Sequence, residues 1–249
     1  MILMPMSLED FDPTEASIAW KKLQSQGYRF RFATPNGQPA RPDPRMMTGN
    51  GLGIWKPILN ARADAVEACE EMMASEEFQN PIPYESIRPG EYRALLLHGG
   101  HAPGMRAYLE SDTLQNVAVD FFARNAPVAA ICHGVLLLAR SIKPDGKSVL
   151  HGRKCTTLLK SQEMAAYRMT AAWLGTYYRT YPETTCQQEV MASLASESDF
   201  QSGPTPMLRD DEKRLNRGFV VRDGKLLTAR WPGDAYRFSG ALLEMLQES

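Results

Sequence analysis

The chain has 249 residues, of which 43% are hydrophobic and 23% charged, a balance that fits one large α/β domain or two small ones. Its formal net charge of −1 gives no electrostatic case for a nucleic-acid or anionic-membrane partner. No apolar run approaches the ~20 residues that span a bilayer, and no CxxC pair suggests a zinc cluster or disulfide framework.

Met1 to Met6 reads as a short buried strand, too short and without the basic residue needed for a secretion signal. Asp12-Pro13-Thr14-Glu15 is a helix start, with an Asp cap, a Pro in the first turn and an acid three after the cap. The helix runs to about Gln26 and stops at Gly27. Alternation over Arg29–Ala33 predicts a second strand. Residues 34–57, rich in Pro and Gly, are expected to form a long loop. Its Gly49-Asn50-Gly51-Leu52-Gly53 follows no predicted strand and is not read as a nucleotide site.

A helix is expected over 61–74, then a buried strand over Tyr92–His98, of the continuous apolar kind found in parallel sheets. That strand ends in Gly99-Gly100-His101-Ala102-Pro103-Gly104, a turn at the edge where α/β folds hold ligands. A helix over 112–124 follows. Val128-Ala129-Ala130-Ile131 then leads directly into Cys132-His133, and Gly134 opens an apolar helix to about Ile142. Strand, sharp turn and helix are the geometry of a nucleophile elbow, in which the helix N–H groups favour a thiolate. A lone Cys in an apolar stretch is otherwise a buried, inert residue.

A turn at Pro144–Lys147 and a short strand at Lys154–Thr157 come next, and residues 161–200 read as mostly helical, with aromatics Trp173, Tyr177, Tyr178 and Tyr181. Phe219–Arg222 and Leu226–Arg230 form an expected hairpin around Asp223-Gly224, and the last helix spans 235–247. Alternating strands and helices imply right-handed crossovers and a mostly parallel, doubly wound sheet between two helical layers, an α/β three-layer sandwich. Asp12–Glu15, Gly99–Gly104 and Cys132 all follow predicted strands, so they should gather along one edge. No linker divides the chain, which is expected to be one domain over 1–249, and the scattered cysteines fit a reducing cytoplasm.

Ala129-Ala130-Ile131-Cys132-His133-Gly134 resembles the elbow of the ThiJ/PfpI superfamily, whose fold is flavodoxin-like, of the class I glutamine amidotransferase type. Leu97-His98-Gly99-Gly100-His101 is similar to the family's Gly-Gly turn, Glu15 sits where the family keeps an acid, and Asp223–Arg230 resembles its late hairpin. Residues 160–215 match less closely and read as a helical insertion or lid. The resemblance implies Cys132 as nucleophile, Glu15 as its proton partner, and His133 as base. It also implies an oxyanion hole from the Gly100 and His133 amides. Glu15 has a second reading as part of a capping arrangement with Asp12. Glu163 is the nearest acid that could orient His133, but it lies late. His101 and Asp234 are candidate substrate contacts, and Asp234 is alternatively the cap of the last helix.

Three functions compete. The first is a glutathione-independent glyoxalase acting on a small α-oxoaldehyde, which needs no metal or organic cofactor. The second is a cysteine hydrolase or amidase. The third is a chaperone or stress sensor whose Cys132 is oxidised. The resemblance further implies a homodimer.

Overall fold

The computed structural model describes residues 1–248. Seven strands form one sheet: β1 (Ile2–Pro5), β2 (Phe30–Thr34), β3 (Ile82–Pro83), β4 (Ala94–Leu97), β5 (Val128–Ile131), β6 (Val220–Asp223) and β7 (Leu226–Ala229). Their spatial order is β3-β2-β1-β4-β5-β7-β6, parallel except for the antiparallel edge strand β6. The four central strands are Ile-Leu-Met-Pro, Ala-Leu-Leu-Leu, Val-Ala-Ala-Ile and Leu-Leu-Thr-Ala, and every residue in them is buried. Side chains alternate between the two faces of a strand, so such runs require cover on both. The cover comes from two groups of helices. Pro13–Gln24 packs on Ala63–Ala74 and on Ala235–Gln247, while Asp112–Ala123 and Cys186–Ser193 pack on Gly134–Arg140. This is the expected α/β architecture. No helix among the described residues is long and apolar enough to cross a membrane.

Several local expectations are corrected. The Pro- and Gly-rich stretch 34–57 is not featureless, because Asp43 caps a short helix at Pro44–Thr48 and another follows at Lys56–Leu59. The strand expected at Lys154–Thr157 reduces to an isolated bridge between Cys155 and Phe200. Its ladder cannot extend, since the Thr156 amide donates to the Thr228 side chain at 2.9 Å instead of to a neighbouring strand. The hairpin reverses at Gly224-Lys225, with Asp223 paired to Leu226, so the turn starts one residue later than the Asp-Gly pair suggested. Only Gly224 has a positive φ there (+59°), the pattern of a type II′ turn. Within 160–215 the helices are Lys160–Leu174 and Cys186–Ser193, and the chain between and after them is irregular.

Candidate active site

The carboxyl ends of β1, β4 and β5 bring together the helix start at Asp12–Glu15, the Gly99-Gly100 turn and Cys132. Cys132 leaves β5 with φ of +57°, a left-handed backbone that costs a non-glycine residue about 1–2 kcal/mol. Both of its backbone polar groups are held: its amide donates to Ala229 O on β7 at 3.0 Å, and its carbonyl accepts from Thr157 Oγ1 at 2.7 Å. The turn fits only because Gly134 has no side chain. A Cβ there would lie 2.5 Å from the His98 carbonyl oxygen and 2.8 Å from that of Leu97. These are backbone atoms with nowhere to go. Gly134→Ala is therefore expected to destabilise the fold by about 1–3 kcal/mol, measured by urea unfolding. An unchanged midpoint would mean that the elbow relaxes freely.

Glu15 is 1% exposed and lies against both the Gly-Gly turn and the elbow. A Cβ on Gly99 would meet Glu15 Oε2 at 2.3 Å, Cys132 Cβ at 2.8 Å and His133 N at 2.9 Å, so glycine is required for this close approach. The capping alternative for Glu15 fails. Asp12 alone caps the helix, accepting from the Thr14 and Glu15 amides at 2.9 and 3.0 Å. The Asp12 amide that a capping-box Glu would hold donates to Gly99 O at 3.0 Å. Neither Glu15 oxygen has a hydrogen bond of good geometry. The carboxyl faces the Cys132 thiol and the Gly99 amide.

Burial pushes the Glu15 carboxyl well above its ordinary value of 4.5, and the nearby Asp12 adds to the shift. Burial likewise pushes the Cys132 thiol up, with the Glu15 charge acting in the same direction. Close groups of this kind titrate as a pair. Ionising one holds the proton on the other, so across the neutral range the pair keeps at least one proton between carboxyl and sulfur. Cys69 and Cys155 are also buried, each pushed up to about 12 by burial, and neither faces a catalytic partner.

His133 Nδ1 lies 3.5 Å from Cys132 Sγ. Burial lowers the imidazole to about 3, with His101 and Arg140 adding smaller repulsions, so His133 is neutral at physiological pH. No carboxylate orients it among the described residues. Glu163 pairs with Arg179 at 3.2 Å and accepts from the Cys186 amide at 2.9 Å. A Cys-His-acid triad is not assembled. The amides of Gly100 and His133 have no protein acceptor among the described residues, which leaves both free to receive an oxyanion.

Asp234, a candidate substrate contact from sequence, is fully buried with both oxygens committed to Arg230 and to the amides of Phe219 and Arg230. It makes no side-chain cap on the last helix either. His101 stacks on Tyr178 at 4.2 Å and meets Tyr177 edge-on at 4.9 Å, with its Nε2 buried and unpartnered. Burial lowers His101 to about 4. Tyr177 and Tyr178 thus cover His101 beside the Gly-Gly turn. Sequence reading missed His98, whose Nδ1 lies 2.8 Å from Gly99 O, and Thr157. No group of three or more His, Cys, Asp or Glu side chains is placed to hold a metal among the described residues.

A sequence model described as ThiJ/PfpI family-like matches residues 6–204. The chain belongs to that family. Glutathione-independent glyoxalase hsp3101 of Schizosaccharomyces pombe is 26% identical over 168 residues, which are 66% of this chain and 61% of the relative. The match therefore spans less than two thirds of that protein. Protein/nucleic acid deglycase 2 of Escherichia coli is 41% identical over 75 residues, 30% of this chain and 38% of its own length. Glyoxalase III from Candida albicans has the same fold, with a TM-score of 0.68 at 17% identity over 98% of this chain and 96% of that one. So does the Rapid Encystment Protein of Francisella tularensis, with a TM-score of 0.72 at 16% identity over 98% of each chain.

Proposed function

We propose that the protein is a cysteine enzyme of reactive carbonyls that converts a small α-oxoaldehyde such as methylglyoxal to a 2-hydroxy acid without glutathione. The observation that carries this reading is the buried Glu15 carboxyl, without a well-formed hydrogen bond, set against the thiol of a strained elbow. Glyoxalases and deglycases among the relatives support it.

The Cys132 sulfur adds to the aldehyde carbon, and the proton held by the pair passes to the aldehyde oxygen, giving a hemithioacetal. Glu15, now ionised, takes the proton from that carbon to leave an enediolate charged on the adjacent oxygen. It returns the proton to the adjacent carbon while the hydroxyl proton on the first oxygen passes to the second, giving a thioester with a hydroxyl beside it. Water then cleaves the C–S bond, releasing the hydroxy acid and restoring the thiol. One water is consumed and no electron acceptor is needed. The Gly100 and His133 amides receive the oxygen whose charge rises at each stage. A hydrolase would ask more of His133 as a base. A neutral imidazole lowered to about 3, with no acid behind it, is poorly placed for that.

Methylglyoxal consumption and lactate formation without glutathione test the proposal. Wild type is expected to form lactate, and Cys132→Ser to fall to the uncatalysed background. Absence of turnover by wild type would defeat the glyoxalase reading, and turnover surviving in Cys132→Ser would remove the elbow from the chemistry. The proposal extends to a cytoplasmic homodimer, checked by fractionation and by the mass of the native protein in solution.

A further inference from the structure

In a trans peptide the C=O of one residue and the N–H of the next point in opposite directions, so fixing the carbonyl fixes the amide. Both oxyanion amides are preceded by a carbonyl held from behind. The Cys132 carbonyl, ahead of the His133 amide, accepts from the Thr157 hydroxyl at 2.7 Å and from the Val135 amide at 3.2 Å, and Thr157 is fully buried. The Gly99 carbonyl, ahead of the Gly100 amide, accepts from the Asp12 amide at 3.0 Å and lies 2.8 Å from His98 Nδ1.

The tautomer of His98 follows from its other contact. Nε2 accepts from the Ser7 amide at 3.2 Å, so the ring proton sits on Nδ1 and is donated to Gly99 O. Stacking on Tyr108 at 4.7 Å and an edge contact with Phe11 at 5.8 Å fix the ring plane. Burial lowers His98 to about 4, which keeps it in this neutral form across the working range.

We propose that Thr157 and His98 are the positioning residues of the oxyanion hole, each clamping the carbonyl whose partner amide binds the charged oxygen. Neither touches substrate. The inference rests on Cys132 as nucleophile and on the Gly100 and His133 amides as the oxyanion hole, but not on the glyoxalase reaction, and its test separates the two.

Cys132 is treated with p-nitrophenyl acetate and, separately, with iodoacetamide. Acylation passes through a tetrahedral oxyanion: sulfur bonds to the carbonyl carbon and p-nitrophenolate departs with the C–O electron pair. Alkylation displaces iodide from a saturated carbon and forms no oxyanion. Thr157→Val, nearly isosteric, is expected to slow acylation by about tenfold or more, since a 1 Å misplacement costs on the order of 10²-fold. Alkylation should hold within about twofold, and Thr157→Ser, which keeps the hydroxyl, should restore acylation. His98→Gln is expected to behave like Thr157→Val and carries the test if the valine variant does not fold.

Acylation and alkylation falling together would overturn the proposal, because the residues would then serve thiol reactivity. So would unchanged acylation in folded Thr157→Val and His98→Gln, or rescue failing in Thr157→Ser. A wild type that makes no lactate while Thr157→Val still lowers the acylation-to-alkylation ratio would retire the glyoxalase reading and leave the clamps standing.

Discussion

Replacing Glu15 by glutamine is expected to lower lactate formation by about 10²–10⁴-fold, the usual worth of a positioned acid–base group, while making the fold more stable above neutral pH. The two effects share one cause. The carboxyl is buried without a cation or a well-formed hydrogen bond, so ionising it in the folded state is costly, and its proton is held well above the ordinary 4.5. Below about pH 4.5 folded and unfolded chains both hold that proton, and Glu15 brings no penalty from ionisation. As pH rises beyond this, the unfolded chain ionises first. Folding stability therefore falls until the folded carboxyl also ionises, and levels above that point. Glutamine has no such dependence. The melting temperature of Glu15→Gln relative to wild type should thus increase from pH 4 to pH 8. A constant difference would show that Glu15 titrates as an exposed carboxyl does, and the proton relay would lose its basis. The same pair sets the acid limb of the activity profile. Turnover should rise with pH as the Glu15–Cys132 pair loses its first proton, and the glutamine variant should lack that limb.

What was legible in the sequence were features whose cause is local. Asp12 and Pro13 set the helix start through neighbouring amides, and the Val128–Ile131 run set a central strand through its own apolar faces. The elbow was legible because the strand, Cys132, His133 and Gly134 are consecutive. What was hidden depends on partners distant in the chain. β3 is two residues long and ends in a proline, so it exists only through its pairing with β2. Glu163 reads as a candidate for orienting His133 until Arg179 is seen beside it. Asp234 reads as a cap or a substrate contact, although Arg230 four residues earlier was the available clue to its pairing. Thr157 gave no signal, since a hydroxyl becomes a clamp only through the carbonyl the fold brings to it, 25 residues away, and His98 gave none because the Ser7 amide that sets its tautomer lies 91 residues away. The elbow was readable; the side chains that hold its backbone were not.

The support with the largest expected effect on stability is the Arg230–Asp234 pair, whose side chains are both fully shielded from solvent at 2.9 Å. Asp234→Ala would leave a buried guanidinium without a counter-ion and free the amides of Phe219 and Arg230, at a cost of about 3–5 kcal/mol. At about 2–4 °C per kcal/mol for a chain of this size, the melting temperature should fall by roughly 6–20 °C. The double variant Arg230→Met with Asp234→Leu should lose less than Asp234→Ala alone, because no unpaired charge remains. The double variant still gives up the donations of Arg230 to the Ser202 and Pro204 carbonyls, at 3.2 and 2.7 Å, which tie down that segment of chain. If the double variant loses as much as the single one, the loss of those ties outweighs the relief from removing the unpaired charge. The position of the pair links this stability to the site. Arg230 directly follows Ala229, whose carbonyl holds the Cys132 amide, and Thr228 one residue earlier holds the Thr156 amide beside Thr157. The end of β7 thus braces the elbow from both sides, and loosening it in Asp234→Ala should slow Cys132 acylation at temperatures where the protein is still folded.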